Sequence, residues 1–115
     1  MSILDRASSL VAICPVERLT TDRGVAALVE GRAVAIFLLR GGEIRAIDNV
    51  DPVSGASVLS RGLVGDADGV PFVASPLYKQ RFHLRTGHCL DVEDLKVAAH
   101  DVQVVDGTVH VALSP

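Results

Sequence analysis

The chain has 115 residues, 49% of them apolar, and its 11 Lys and Arg against 14 Asp and Glu leave a net charge of −3. That is one domain's worth of core-forming sequence, and the acidic balance, with an isoelectric point near 5.7, excludes the concentrated Lys/Arg surface that nucleic-acid binding requires. The longest apolar run, 33–39, falls far short of the ~20 residues of a membrane-spanning helix, so it reads as a buried strand and not an anchor.

The N-terminus carries Asp5 and Arg6, and Pro15 closes the short apolar run Leu10 to Cys14, so the long apolar stretch of a secretory signal is not expected. The reading is a cytoplasmic protein, a single domain over 1–115 with 1–9 as a flexible N-terminal segment. In a reducing compartment Cys14 and Cys89 are expected as free thiols.

Glycine punctuates the chain where hairpins need it, at Glu30-Gly31, Gly41-Gly42, Asp68-Gly69, Thr86-Gly87 and Asp106-Gly107, each beside short β-prone runs. In chain order the predicted strands are Leu10 to Cys14, Val25 to Val29, Ala33 to Leu39, Glu43 to Ile47, Val70 to Ala74, Arg81 to Leu84, Val97 to Val105 and Thr108 to Leu113. Val102, Val104, Val109 and Val111 alternate with polar neighbours, as in strands with one wet face. Ala33 to Leu39 does not alternate and must lie between two apolar layers, or between the core and a partner. Single helical turns are expected at Val16 to Leu19, after Pro15, and at Val92 to Lys96, with Asp91 as N-cap. Residues 49–62 lack strand character, and so long a loop in a compact domain is usually functional.

Asp48 and Asp51 resemble a carboxylate pair, but Asp before Pro is ordinary turn chemistry, so a solvated Asx-type turn is preferred. Ser75 precedes Pro76 and lacks the Gly-x-Ser-x-Gly context of an exposed nucleophile. His83 falls on the same strand face as Arg81 and Arg85, opposite Phe82 and Leu84, so it reads as a surface residue and no Ser–His dyad. Cys14, Cys89, His83, His88, His100 and His110 lack the close paired spacing of zinc ligands. The cations Arg61, Lys79, Arg81 and Arg85 are either a solvated face or, beside Tyr78, a docking surface, since Tyr and Arg are enriched in interface hot spots.

Two loops carry the strongest pattern. Asp48-Asn49-Val50-Asp51-Pro52-Val53-Ser54-Gly55 resembles the Cys-Pro-His loop of Rieske proteins. Val73-Ala74-Ser75-Pro76-Leu77-Tyr78, running on through Phe82-His83-Leu84-Arg85-Thr86-Gly87, resembles their Cys-Pro-x-His loop and hairpin. A Rieske [2Fe–2S] centre needs one Cys and one His from each loop. Here the four positions are Asp51, Val53, Ser75 and Tyr78: no thiolate, no imidazole, and at Val53 no lone pair. The scaffold signal is present and the ligand signal is missing.

The strings Gly55-Ala56-Ser57-Val58-Leu59-Ser60-Arg61-Gly62 and Ala74-Ser75-Pro76-Leu77 with Lys79-Gln80-Arg81-Phe82 narrow the resemblance. Together with Ile13-Cys14-Pro15, Val34-Ala35-Ile36-Phe37 and Gly87-His88-Cys89-Leu90, they resemble the small subunits of assimilatory NAD(P)H-dependent nitrite reductases over most of 11–113. The resemblance implies an all-β, Rieske-like antiparallel sandwich or barrel, with loops 49–62 and 75–80 together at one end and no cofactor on this chain. It implies a partner, the nitrite reductase large subunit, carrying FAD, a [4Fe–4S] cluster and sirohaem and reducing nitrite to ammonium. This chain would be a non-catalytic accessory subunit. The partner-binding residues expected at the loop tips are Val53, Arg61, Leu77, Tyr78, Lys79, Arg81 and Arg85. The alternatives are a redox-silent adaptor or regulatory subunit of another oxidoreductase, and a Rieske ferredoxin of an oxygenase, which the missing ligands disfavour.

Overall fold

A strand without alternation has to bury both faces, and Ala33 to Leu39 does so. In the computed structural model, which describes residues 10–114, Val34, Ala35, Ile36 and Phe37 are all 0% exposed. Residues 1–9 and their expected flexibility lie outside the described residues. The strands are β1 (Val11–Pro15), β2 (Gly24–Val29), β3 (Arg32–Leu38), β4 (Ile44–Asp48), β5 (Leu63–Ala67), β6 (Val70–Ala74), β7 (Arg81–His83), β8 (Ala99–Val105) and β9 (Thr108–Ala112). Six form an antiparallel sheet in the order β1-β9-β8-β4-β3-β2, which curls until β1 approaches β2, a nearly closed barrel. The other three form a small sheet, β5-β6-β7.

Strand β3 separates two cores because successive side chains point to opposite faces. Val34 and Ile36 join Leu19, Val29, Ala46, Val109 and Val111 inside the barrel. Ala35 and Phe37, with Leu39 just beyond the strand, join Ile47, Leu59, Val73, Phe82, Leu84 and Val97 between the barrel and the small sheet. The strand is covered by the protein itself, so its burial needs no partner.

Three readings are corrected. Leu63–Ala67 is a strand, paired with Val70–Ala74 through Leu63 opposite Ala74 and Ala67 opposite Val70; Gly65 and Asp66 dilute its β signal. Val92 to Lys96 is an irregular turn, and Asp91 does not cap it but binds Arg81. Strand β8 begins at Ala99, leaving Val97 to fill the inter-sheet core while its N–H donates to the Gly87 carbonyl. The expected turn after Pro15 is present as a 3₁₀ turn at Val16–Arg18. Cys14 and Cys89 are free and half-buried.

A second 3₁₀ turn, Leu59–Arg61, is wedged between β2 and the end of β6, and glycine makes the space on both sides. A Cβ on Gly24 would stand 2.3 Å from the Ser60 carbonyl oxygen, and one on Gly62 would stand 2.3 Å from that of Ala74.

Glu43, in the β3–β4 turn, clamps the two sheets: it accepts from Arg85 beyond β7 (2.9 Å) and from Arg45 on β4 (2.5 Å). The Arg85 hydrogen bond, with Arg45 adding to it against the opposing effect of burial, lowers its pKa from 4.5 to about 2. A depressed carboxylate pKa gives stability that is complete above pH 4.5 and lost as the pH falls toward 2. Glu43→Gln should therefore cost about 1 kcal/mol or less near neutrality, the exposed setting screening the pair. In thermal melts the gap between wild type and variant should close as the pH falls from 4.5 toward 2.

Candidate functional site

Both loops leave the ends of strands. Asn49, directly after β4 and 3% exposed, organises the first: its side-chain oxygen accepts from Ser60 N–H (2.7 Å), and its carbonyl accepts from Val58 and Leu59. Asp51 then folds the tip around its own carboxylate, Oδ1 accepting from Val53 N–H (2.8 Å) and Ser54 N–H (3.4 Å). That is the expected Asx-type turn, but the loop is not solvated at this point, because Asp51 is 0% exposed.

In the second loop, after β6, Ser75 N–H donates to the Gln80 carbonyl (2.9 Å) and Lys79 N–H donates to the Ser75 carbonyl (3.0 Å). Lys79 takes a left-handed φ of 68° to close the turn. The loops meet where the Ser75 hydroxyl, itself 0% exposed, donates to Asp51 Oδ2 at 2.5 Å. Ser75 Oγ also accepts from Leu77 N–H (3.3 Å). Two of the expected positions, Asp51 and Ser75, are thus joined to each other beneath the surface. The other two, Val53 and Tyr78, stand out from it at 51% and 58% exposure, with Leu77 at 50%.

The carboxylate pair does not form. Asp48 binds His100 (2.8 Å) and Arg32 (3.1 Å), in a network that reaches Ser114. Burial raises the Asp48 pKa, but the hydrogen bonds from His100 and Arg32 outweigh it and the net shift is downward. Ser75 and His83 form no dyad, since the Ser75 hydroxyl is on Asp51 and His83 Nδ1 accepts from Arg85 N–H. His83 is half-buried, and burial first, then the nearby Arg85, His88 and Arg45, lowers its pKa. Among the described residues no group of three or more His, Cys, Asp or Glu is placed to hold a metal ion.

The expected cations divide. Arg81 is bidentate to Asp91, its closest contact 2.6 Å, with its guanidinium 5.4 Å from the Phe72 ring centroid, and Arg85 is held by Glu43. Arg81 therefore sits at the base of the second loop, while Arg85, past the far end of β7, is not at the tip. Arg61 and Lys79 are exposed, and among the described residues neither has an ion-pair partner. Sequence reasoning missed Leu63, which pairs with Ala74 beside Ser75 and is 77% exposed. A leucine at the start of a strand gives no sign that it faces water. A cleft of about 430 Å³ lined by Arg40, Glu43, Asp66 and Arg85 lies elsewhere, its main charges already engaged as Arg40 with Asp22 and Arg85 with Glu43.

A nearly closed antiparallel barrel with a small three-stranded sheet presenting two adjoining loops is the architecture of a Rieske-like domain, and residues 9–112 match the Rieske-like [2Fe-2S] domain family. The chain is 45% identical over 98 residues to the nitrite reductase (NADH) small subunit of Salmonella typhimurium, covering 84% of this chain and 91% of that one. A Mycobacterium tuberculosis chain described as an NADH-dependent nitrite reductase small subunit superposes with a TM-score of 0.88 at 41% identity, covering 92% of this chain and 96% of that one. The chain belongs to the nitrite reductase small-subunit family. It is also 45% identical over 100 residues to the nitrite reductase [NAD(P)H] large subunit of Klebsiella oxytoca, covering 87% of this chain but only 10% of that much longer protein.

A Rieske [2Fe–2S] cluster does not fit the residues present. It requires two thiolates and two imidazoles, and the loops offer a carboxylate and a hydroxyl bonded to each other, an exposed phenol, and a valine with no donor atom.

Proposed function

We propose that this chain is the accessory small subunit of a cytoplasmic NAD(P)H-dependent nitrite reductase, that it holds no cluster, and that it acts through contacts with the catalytic large subunit. The large subunit is expected, from the family resemblance, to carry FAD, a [4Fe–4S] cluster and sirohaem and to reduce nitrite to ammonium. Cofactors carry this chemistry, so the small subunit contributes by holding or shaping its partner. The observation that carries the reading is the Klebsiella protein, in which a stretch 45% identical to this chain is a tenth of a large-subunit polypeptide. A domain found in one chain with the catalytic machinery is one that works in contact with it. The Asp51–Ser75 hydrogen bond supports the cluster-free part, because it uses the donor atoms that a metal would need.

Purification from the native host tests both parts. The chain should co-purify with a flavin- and sirohaem-containing large subunit. Alone, it should be colourless, free of iron and sulfide, and without NADH-dependent nitrite reduction. Stoichiometric iron and sulfide with visible absorption would overturn the cluster-free reading, and nitrite reduction by this polypeptide alone would overturn the accessory role.

A further inference from the structure

Nine large apolar side chains are exposed among the described residues, and five of them, Val50, Val53, Leu63, Leu77 and Tyr78, lie in or beside the two loops. Three of them are tied to the buried Asp51–Ser75 pair or its neighbour. Val53 N–H sits on Asp51 Oδ1, Leu77 N–H on Ser75 Oγ, Ser75 on Asp51, and Leu63 pairs with the residue before Ser75. Such a concentration on a soluble domain marks an interaction surface, and here it is preorganised, because both loop bases are fixed by buried hydrogen bonds.

The exposed charges within the two loops have one sign. Residues 50–62 and 75–80 contain three ionisable acids or cations besides Tyr78: Asp51, which is buried, and Arg61 and Lys79, which are exposed. The neighbouring Arg81 is neutralised by Asp91, and Arg85 is occupied by Glu43. In a chain with a net charge of −3, the two loops therefore present exposed positive charge around an apolar centre.

We infer that this end is the face that docks on the large subunit, and that the large subunit meets it with an acidic, partly apolar surface. Tyr78, Leu77 and Leu63 supply the apolar contact, and Arg61 and Lys79 supply the steering charge. The inference rests on the subunit reading above. It also revises the sequence-derived set: Leu63 enters, and Arg81 and Arg85 leave because their charges are already paired.

The test is binding of the full chain to the purified large subunit, by calorimetry and by association kinetics at low and high salt, with thermal melts alongside. Tyr78→Ala should weaken binding about 30-fold, the size of a hot-spot truncation, with its melt unchanged. Arg61→Glu with Lys79→Glu should slow association about tenfold at low salt, and the difference should shrink at high salt. Lys79→Gly separates folding from docking. It relieves the left-handed backbone and should melt no lower than wild type, yet bind more weakly. Val104→Asp, on the exposed end of β8 outside both loops, should bind like wild type. If wild type binds and the loop-end variants bind equally well, or charge reversal tightens binding, this face is not the interface. If wild type itself does not bind, the subunit reading fails.

Discussion

Replacing Asp51 by alanine should lower the melting temperature by roughly 15 °C. The carboxylate is fully buried and accepts hydrogen bonds from the Ser75 hydroxyl and from the N–H groups of Val53 and Ser54. Truncation leaves the buried Ser75 hydroxyl without that acceptor and opens the turn. A buried polar group stripped of its partner costs about 1–3 kcal/mol, and more where the partner is charged, so about 3 kcal/mol in total is expected. In a domain near 100 residues each kcal/mol moves the midpoint by about 4–8 °C. Asp51→Asn keeps an oxygen for Val53 N–H and should lose less. Ser75→Ala combined with Asp51→Ala should cost less than the sum of the two single changes, because removing both polar partners leaves neither of them stranded. Additive losses would mean that the two loops are not held together by this bond.

What the sequence revealed and what it hid follow from the range of each interaction. The hairpins were legible because Asp or Glu before Gly is a local signal, and Ala33 to Leu39 was legible because an apolar run must be covered somewhere. The two loops could be matched by motif, and they do adjoin through Asp51 and Ser75. The burial of Asp51 was not legible, since its partner lies 24 residues away. Nor were the partners of the arginines, for Asp91 is 10 residues from Arg81 and Glu43 is 42 from Arg85. Strand β5 was missed because its glycine and aspartate argue against a strand, while its pairing with β6 outweighs that weak preference. Its exposed Leu63 went unnoticed with it. A pattern can say that a strand has two faces, but only the packed neighbours decide which face is wet.

Those neighbours also make the 3₁₀ turn at Leu59–Arg61 a demanding joint. Gly62→Ala puts a methyl 2.3 Å from the Ala74 carbonyl oxygen and 2.7 Å from Val73 Cγ2. The carbonyl cannot step aside freely, because Leu63 and Ala74 are partners in the β5–β6 pair. The turn must instead press toward β2, where the Ser60 carbonyl already fills the space that a Gly24 side chain would take. Gly24→Ala has the mirror effect, with its methyl 2.3 Å from the Ser60 carbonyl oxygen and 2.8 Å from the Phe37 ring, and drives the turn toward β6. Each single change should cost about 2 kcal/mol, the usual scale of overpacking. Together they squeeze the turn from both sides at once, so the double variant should lose at least about 1 kcal/mol more than the sum, the coupling expected of residues pressing on one element. Urea melts of the four proteins measure this directly. Strict additivity would show that the turn is not wedged between β2 and β6, and Arg61 and Leu63, which flank Gly62, would then lack a rigid base.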